Sequence, residues 1–188
     1  ARAAGRRARP CGRGARRRRP LPRAGAQPRA VRGTGESAGV VDARREAGGD
    51  GDHAAHFVVG IGAYDTLSDL GLAPIYDADD VENLLVSPKH CGYAAANVRV
   101  LRNQEASRSA IILGLQELAA QAQPSDTVVV YFSGHGAQRT SGPDVGTYLC
   151  PPEFDSKRPR ETGIEAEELS DLLQLMKAER LLVLIDAC

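Results

Sequence analysis

Thr127-Val-Val-Val-Tyr-Phe-Ser-Gly-His-Gly136 and Leu181-Leu-Val-Leu-Ile-Asp-Ala-Cys188 decide how this chain is read. The first opens as a β-branched and aromatic run, and the second is continuously aliphatic. Neither alternates apolar with polar residues, so each reads as a strand buried on both faces, as in parallel sheets. Each run ends on a reactive side chain, His135 in one and Cys188 in the other.

Working outward, the same alternation of strand and helix continues. Between the two runs lie a polar loop, a short strand at Tyr148–Cys150 and a helical stripe of Leu169, Leu172, Leu173 and Met176. Upstream, Ile111, Leu115 and Leu118 recur at helical spacing. Ser107 or Ser109 is placed to cap that helix, and Pro124-Ser125 ends it. Val98–Leu101 reads as a strand. A loop through Pro74 precedes a helix with Val81, Leu84 and Leu85 on one face, and Asp77, Asp79 and Asp80 near its N-terminal end. His56–Tyr64 is the first apolar run. Four strands separated by three helices predict an α/β fold, a doubly wound, mostly parallel sheet with helices on both faces. Such sheets carry their sites beyond the carboxyl ends of the strands.

The chain has 188 residues and formal net charge +0, but its halves differ. Residues 1–55 hold 14 of the 24 basic and 5 of the 24 acidic residues, a balance of +9, and residues 56–188 carry −9. Residues 1–55 are rich in Arg, Ala, Gly and Pro and hold too little apolar surface to offset the entropy of ordering, so they predict a disordered tail. Its Arg13–Arg19 stretch is the one place where nucleic acid or another acidic surface would bind; the blander reading is a solvated tail without a partner. Residues 56–188 form the second unit. No apolar run is long enough to span a membrane. Cys11, Cys91, Cys150 and Cys188 have no metal-ligand spacing and suggest no disulfide framework, so a reducing, cytoplasmic setting is expected. The start at Ala1 and the stop on Cys188, at the end of a strand, read as those of a fragment.

Thiolate catalysis needs a cysteine beside a base that takes its proton and later protonates the leaving amine. His135 and Cys188 are 53 residues apart, room for one crossover that makes their strands neighbours. Gly134 and Gly136 leave space for a peptide backbone at His135. The Gly136 and Cys188 amides are candidate donors to the oxygen of a tetrahedral intermediate. The blander alternatives are a structural histidine and a buried thiol.

Tyr131-Phe-Ser-Gly-His-Gly136 followed by Leu184-Ile-Asp-Ala-Cys188 resembles the paired active-site motifs of the caspase, metacaspase and legumain clan. The likeness extends over Val59–Tyr64, Leu72–Leu85, Thr147–Pro151 and Gly163–Leu169. It is nearer to metacaspases and bacterial caspase-like proteins than to animal caspases. The resemblance implies a caspase-like sheet and a cysteine endopeptidase with His135 and Cys188 as its dyad. It further implies a pocket of Asp77, Ser133 and Asp186 that takes a basic side chain, hence cleavage after Arg or Lys. Many metacaspases need calcium, so the family makes calcium a candidate cofactor. Here the stretch Gln138–Asp155 offers only Asp144, Glu153 and Asp155, and no metal site is predicted. Family members carry two more strands after the nucleophile. Their absence here implies an exposed sheet edge and a poorly soluble, inactive fragment of an active parent. The rival reading is a non-catalytic scaffold or regulator that keeps the fold. The basic loop Lys157–Arg160 is a candidate self-cleavage site, after Arg160.

Overall fold

The structure, a computed structural model, describes residues 55–188. The expected tail therefore lies outside the described residues, apart from Ala55. In chain order the elements are β1 (His56–Gly60), α1 (Ala73–Val86), β2 (Val98–Arg102), α2 (Arg108–Gln121), β3 (Thr127–Gly134), β4 (Gly136–Arg139), β5 (Gly146–Leu149), α3 (Pro159–Thr162), β6 (Ile164–Glu165), α4 (Ala166–Gln174) and β7 (Arg180–Ala187). The main sheet has the order β2-β1-β3-β7, with every pair parallel. The two runs that open the sequence reading, β3 and β7, are neighbours in it.

Alternation along the strands sends side chains to two cores. Phe57, Val59, Val128, Val130 and Phe132 pack with Ile111, Leu115 and Leu118 of α2 and Leu169 and Leu172 of α4. Val58, Val98 and Val129 pack with Ala78 and Leu85 of α1. Helices thus cover both faces, as the sequence predicts. Phe57 is 1% exposed, and burial of such a ring contributes about 2–3 kcal/mol.

Several local expectations change. Helix α1 begins at Ala73 with Pro74 in its first turn, rather than after Pro74; proline fits there because the first-turn amides have no helical partner. Asp77, Asp79 and Asp80 consequently lie past the first turn, which holds no acidic residue. Leu84 is exposed, and Pro74, Ala78 and Leu85 form the buried side. Ser107, not Ser109, caps α2, accepting from the Ala110 amide at 3.3 Å. Helix α4 stops at Gln174, so Met176 lies beyond it.

The polar loop expected after His135 is partly a strand. β4 and β5 form an antiparallel hairpin, and β6 adds a third strand to this small second sheet. Polar Gln138 and Arg139 conceal it, because both are exposed on a strand with little apolar content. Strand β7 also differs from a doubly buried strand. Leu182, Leu184 and Ile185 are exposed because β7 is an edge of the main sheet.

His56 supplies a measurable property of this fold. It is 1% exposed, its Nδ1 accepts from the Val129 amide at 3.2 Å, and its buried Nε2 has no hydrogen-bond partner among the described residues. Burial pushes its pKa from 6.5 down to about 4, partly offset by the charge of Asp126. The unfolded chain therefore takes up this proton first. The contribution of neutral His56 is complete above pH 6.5 and is lost as the pH falls toward 4. Urea unfolding is expected to lose roughly 2–3 kcal/mol between pH 7 and pH 4.5 through this group. In His56→Leu that part of the pH slope should vanish.

Candidate active site

The ladder between β3 and β7 pairs Ser133 with Asp186 and Gly134 with Ala187. His135 and Cys188 follow those pairs at the carboxyl edge of the sheet. The Gly136 amide donates to the Cys188 backbone oxygen at 3.3 Å, so the two chain segments are bonded directly beyond the ladder. A Cβ built on Gly136 would lie 3.4 Å from the Ala187 Cβ and 3.8 Å from the Cys188 nitrogen. Cys188 itself is exposed.

The imidazole of His135 is held from the loop that follows β1. Its Nε2 lies 2.8 Å from the Ser68 carbonyl oxygen. A carbonyl only accepts, so Nε2 carries a proton, and in the neutral ring Nδ1 is then the accepting nitrogen. The His135 amide donates to the Tyr64 hydroxyl at 2.7 Å, and the two rings lie 4.8 Å apart. Burial pushes the Tyr64 phenol up to about 12, partly offset by the His135 amide. The phenol is therefore neutral at every ordinary pH.

On the α1 face of the sheet edge, Ser133 is buried and its hydroxyl donates to Asp77 at 3.4 Å. Helix α1 comes this close because Gly60 has no side chain. A Cβ there would meet Ala78 Cβ at 2.8 Å and the Pro74 carbonyl closer still. Tyr131, two residues before Ser133, shares that face. Burial raises its pKa, a hydrogen bond with Ser133 lowers it, and the charges of Asp77 and Asp186 raise it further. Asp77, Tyr131, Ser133 and Asp186 are thus one electrostatic group. Asp79 and Glu82, further along α1, share an ion pair with Arg102. Among the described residues Asp77 and Asp186 have no ion-pair partner. A cavity of about 380 Å³ opens on the other face beside Cys188, lined mainly by Tyr148, Leu149, Leu169 and Ile185.

The three carboxylates considered for calcium do not fit an ion. Asp144 faces Arg139 and Arg160, Asp155 is bonded to Arg158, and Glu153 accepts from the Arg108 amide. Hard-cation sites need several free oxygens converging on one point. Among the described residues no group of three or more His, Cys, Asp or Glu side chains is arranged to hold a metal. The basic loop also differs from a cleavable segment. Pro159 is buried and opens α3, and Arg158 is tied to Asp155 and Glu161, so the bond after Arg160 sits inside a helical turn.

The sequence reading missed Tyr64, Ser68 and Tyr131. Tyr131 was findable from strand alternation with Ser133. Ser68 acts through its carbonyl, which no side-chain pattern reveals, and Tyr64 meets His135 only through the parallel pairing of β1 with β3.

A parallel sheet with helices on both faces and a histidine and a cysteine at adjacent strand ends defines a caspase-like α/β domain. The chain belongs to the caspase domain family of peptidases, whose model matches residues 55–188. It is similar to Metacaspase-1 of Candida albicans (strain SC5314 / ATCC MYA-2876), with 28% identity over 145 residues, covering 70% of this chain. The chain spans about a third of that relative's length, 32%. Among solved structures it resembles protein GSU0716 from Geobacter sulfurreducens, with TM-score 0.57, 22% identity and coverage of 72% of this chain and 50% of that one. That likeness concerns the fold. Among the described residues no helix is long and apolar enough to cross a membrane.

Proposed function

We propose that this chain carries the catalytic region of a cysteine endopeptidase that cuts after Arg or Lys. The observation that carries the reading is the adjacency of β3 and β7, which end on His135 and Cys188 at the same edge of one sheet. Cys188 Sγ, as a thiolate, attacks the scissile carbonyl carbon, and His135 Nδ1 takes the thiol proton. Electron density from the broken C=O π bond moves to the carbonyl oxygen, which accepts from the Cys188 amide and from the Gly136 amide once substrate displaces that amide's bond to the Cys188 oxygen. His135 then protonates the leaving amine as the C–N bond breaks. Water activated by the same imidazole hydrolyses the thioester. The Ser68 carbonyl stabilises the imidazolium by accepting from Nε2 throughout.

Specificity follows from charge. Among the described residues Asp77 and Asp186 have no ion-pair partner, and Ser133 joins them, paired with Asp186 in the ladder and donating its hydroxyl to Asp77. A guanidinium or ammonium group offers the complementary charge, and Arg adds the geometry to bridge two carboxylates. The free thiols Cys91, Cys150 and Cys188 suit a reducing compartment such as the cytoplasm.

A set of fluorogenic peptides ending in Arg, Lys or Asp, offered to the full-length protein, tests this. Turnover after Arg and Lys, and at least a hundredfold less after Asp, is the expected pattern. Preferential turnover after Asp would sink the pocket assignment while leaving the dyad.

A further inference from the structure

The loop between β1 and α1 holds His135 at two points, its main-chain amide through Tyr64 and its ring through Ser68. That loop is itself pinned from outside: Gln104 Nε2 donates to Asp65 Oδ1 at 3.2 Å, the Asp65 amide and the Thr66 hydroxyl donate to the carbonyls of Pro152 and Phe154, and Asn103 holds the end nearest β1. The Oδ1 of Asn103 accepts from the amides of Gly62 and Ala63 at 2.9 and 3.1 Å. Asn103 is also the sole non-glycine residue with positive φ among the described residues, at 46°. A β2 strand that simply continued would not need that conformation. Such left-handed backbone costs free energy and persists where surrounding structure enforces it. Here the turn after β2 aims the Asn103 amide group at the loop. Further bonds tighten the same loop. Asp69 Oδ1 accepts from the Tyr64 amide at 2.9 Å, and the Leu70 amide donates to the Gly62 carbonyl at 2.8 Å. Tyr64 is 9% exposed, and a Cβ on Gly134 would lie 2.7 Å from its hydroxyl oxygen. The phenol thus occupies the space that a side chain at position 134 would take.

We propose that Asn103 and Tyr64 are positioning residues of the catalytic base: Asn103 fixes the loop, and the Tyr64 hydroxyl and the Ser68 carbonyl, carried on it, fix His135 facing Cys188. The inference rests on the dyad reading above and deepens it. Neither residue touches substrate. Their effect is on how well the imidazole accepts the Cys188 proton, and so on the share of thiolate at neutral pH.

The test reads that share directly. The protein is alkylated with iodoacetamide from pH 5 to 9, and each cysteine is followed by peptide mass spectrometry. Exposed Cys91 serves as the reference thiol in the same sample, and buried Cys150 reports unfolding. His135→Ala should move the Cys188 profile to that of Cys91. Tyr64→Phe, which removes only the hydroxyl, and Asn103→Ala should each slow Cys188 at neutral pH by roughly 5- to 20-fold and move its profile in the same direction. Cys150 should stay protected. Asn103→Asp keeps the accepting oxygen and tolerates the left-handed backbone, so it should restore the profile to within about twofold. The proposal is overturned if Tyr64→Phe and Asn103→Ala leave the profile as it is while His135→Ala moves it. It is also overturned if Asn103→Asp behaves like Asn103→Ala. A profile unmoved by His135→Ala would overturn the dyad reading and the clamp with it.

Discussion

Cys188→Ala and His135→Ala in the full-length protein should each lower kcat for a peptidyl-Arg substrate by roughly 10⁴-fold or more. The cysteine is the atom that forms the acyl bond, so its loss removes the pathway rather than tuning it. The histidine is used twice, once to take the thiol proton and once to protonate the leaving amine, and the carboxylates at this edge, Asp77 and Asp186, are assigned instead to the basic side chain of the substrate. The double variant should be no worse than either single one, because the two residues act as a unit. KM should change little in both, since neither side chain binds the basic group. A steady-state assay on the three variants checks all of this. Additive losses would argue that the two residues serve separate steps.

The second large effect concerns the carboxylates. Asp186→Asn should reduce kcat/KM for Arg substrates by roughly 10²- to 10³-fold: Asp186 is exposed in the free protein, and bound substrate would cover it and form a charge-assisted pair worth about 3–4 kcal/mol. Asp77→Asn should cost less, about tenfold, because Asp77 already spends one oxygen on the Ser133 hydroxyl. Substrates with a neutral glutamine in place of the arginine should lose little in either variant. The Arg-to-Gln ratio therefore narrows most in Asp186→Asn. An equal loss for both substrates would mean that Asp186 braces the sheet edge instead of meeting the substrate.

The sequence made the frame legible because the frame is written in side-chain period. β1, β3 and β7 are apolar runs, Ile111, Leu115 and Leu118 mark α2, and the 53 residues from His135 to Cys188 suit one crossover that makes β3 and β7 neighbours. His135 and Cys188 were legible for the same reason, as the residues on which two neighbouring strands end. What stayed hidden is written in the backbone or in approach distances. β4 has too few apolar residues to stand out, and Pro74 reads as a helix breaker unless it falls in a first turn, where it fits. The clamp on His135 depends on a carbonyl, a phenol brought across the sheet and one left-handed asparagine. The apolar run of β7 taken alone fits a central strand, whereas the family resemblance implies an exposed sheet edge, and β7 forms an edge.

The most direct test of the central claim is covalent. The full-length protein is treated with a peptidyl-arginine chloromethyl ketone and, separately, with its peptidyl-aspartate counterpart, and the adduct is located by mass spectrometry. A thioether forms as chloride leaves. The account predicts stoichiometric labelling of Cys188 by the arginine reagent, loss of that labelling in His135→Ala, and slow or no labelling by the aspartate reagent. A folded protein in which Cys188 reacts with neither reagent faster than Cys91 does would contradict the dyad and leave a non-catalytic member of the family.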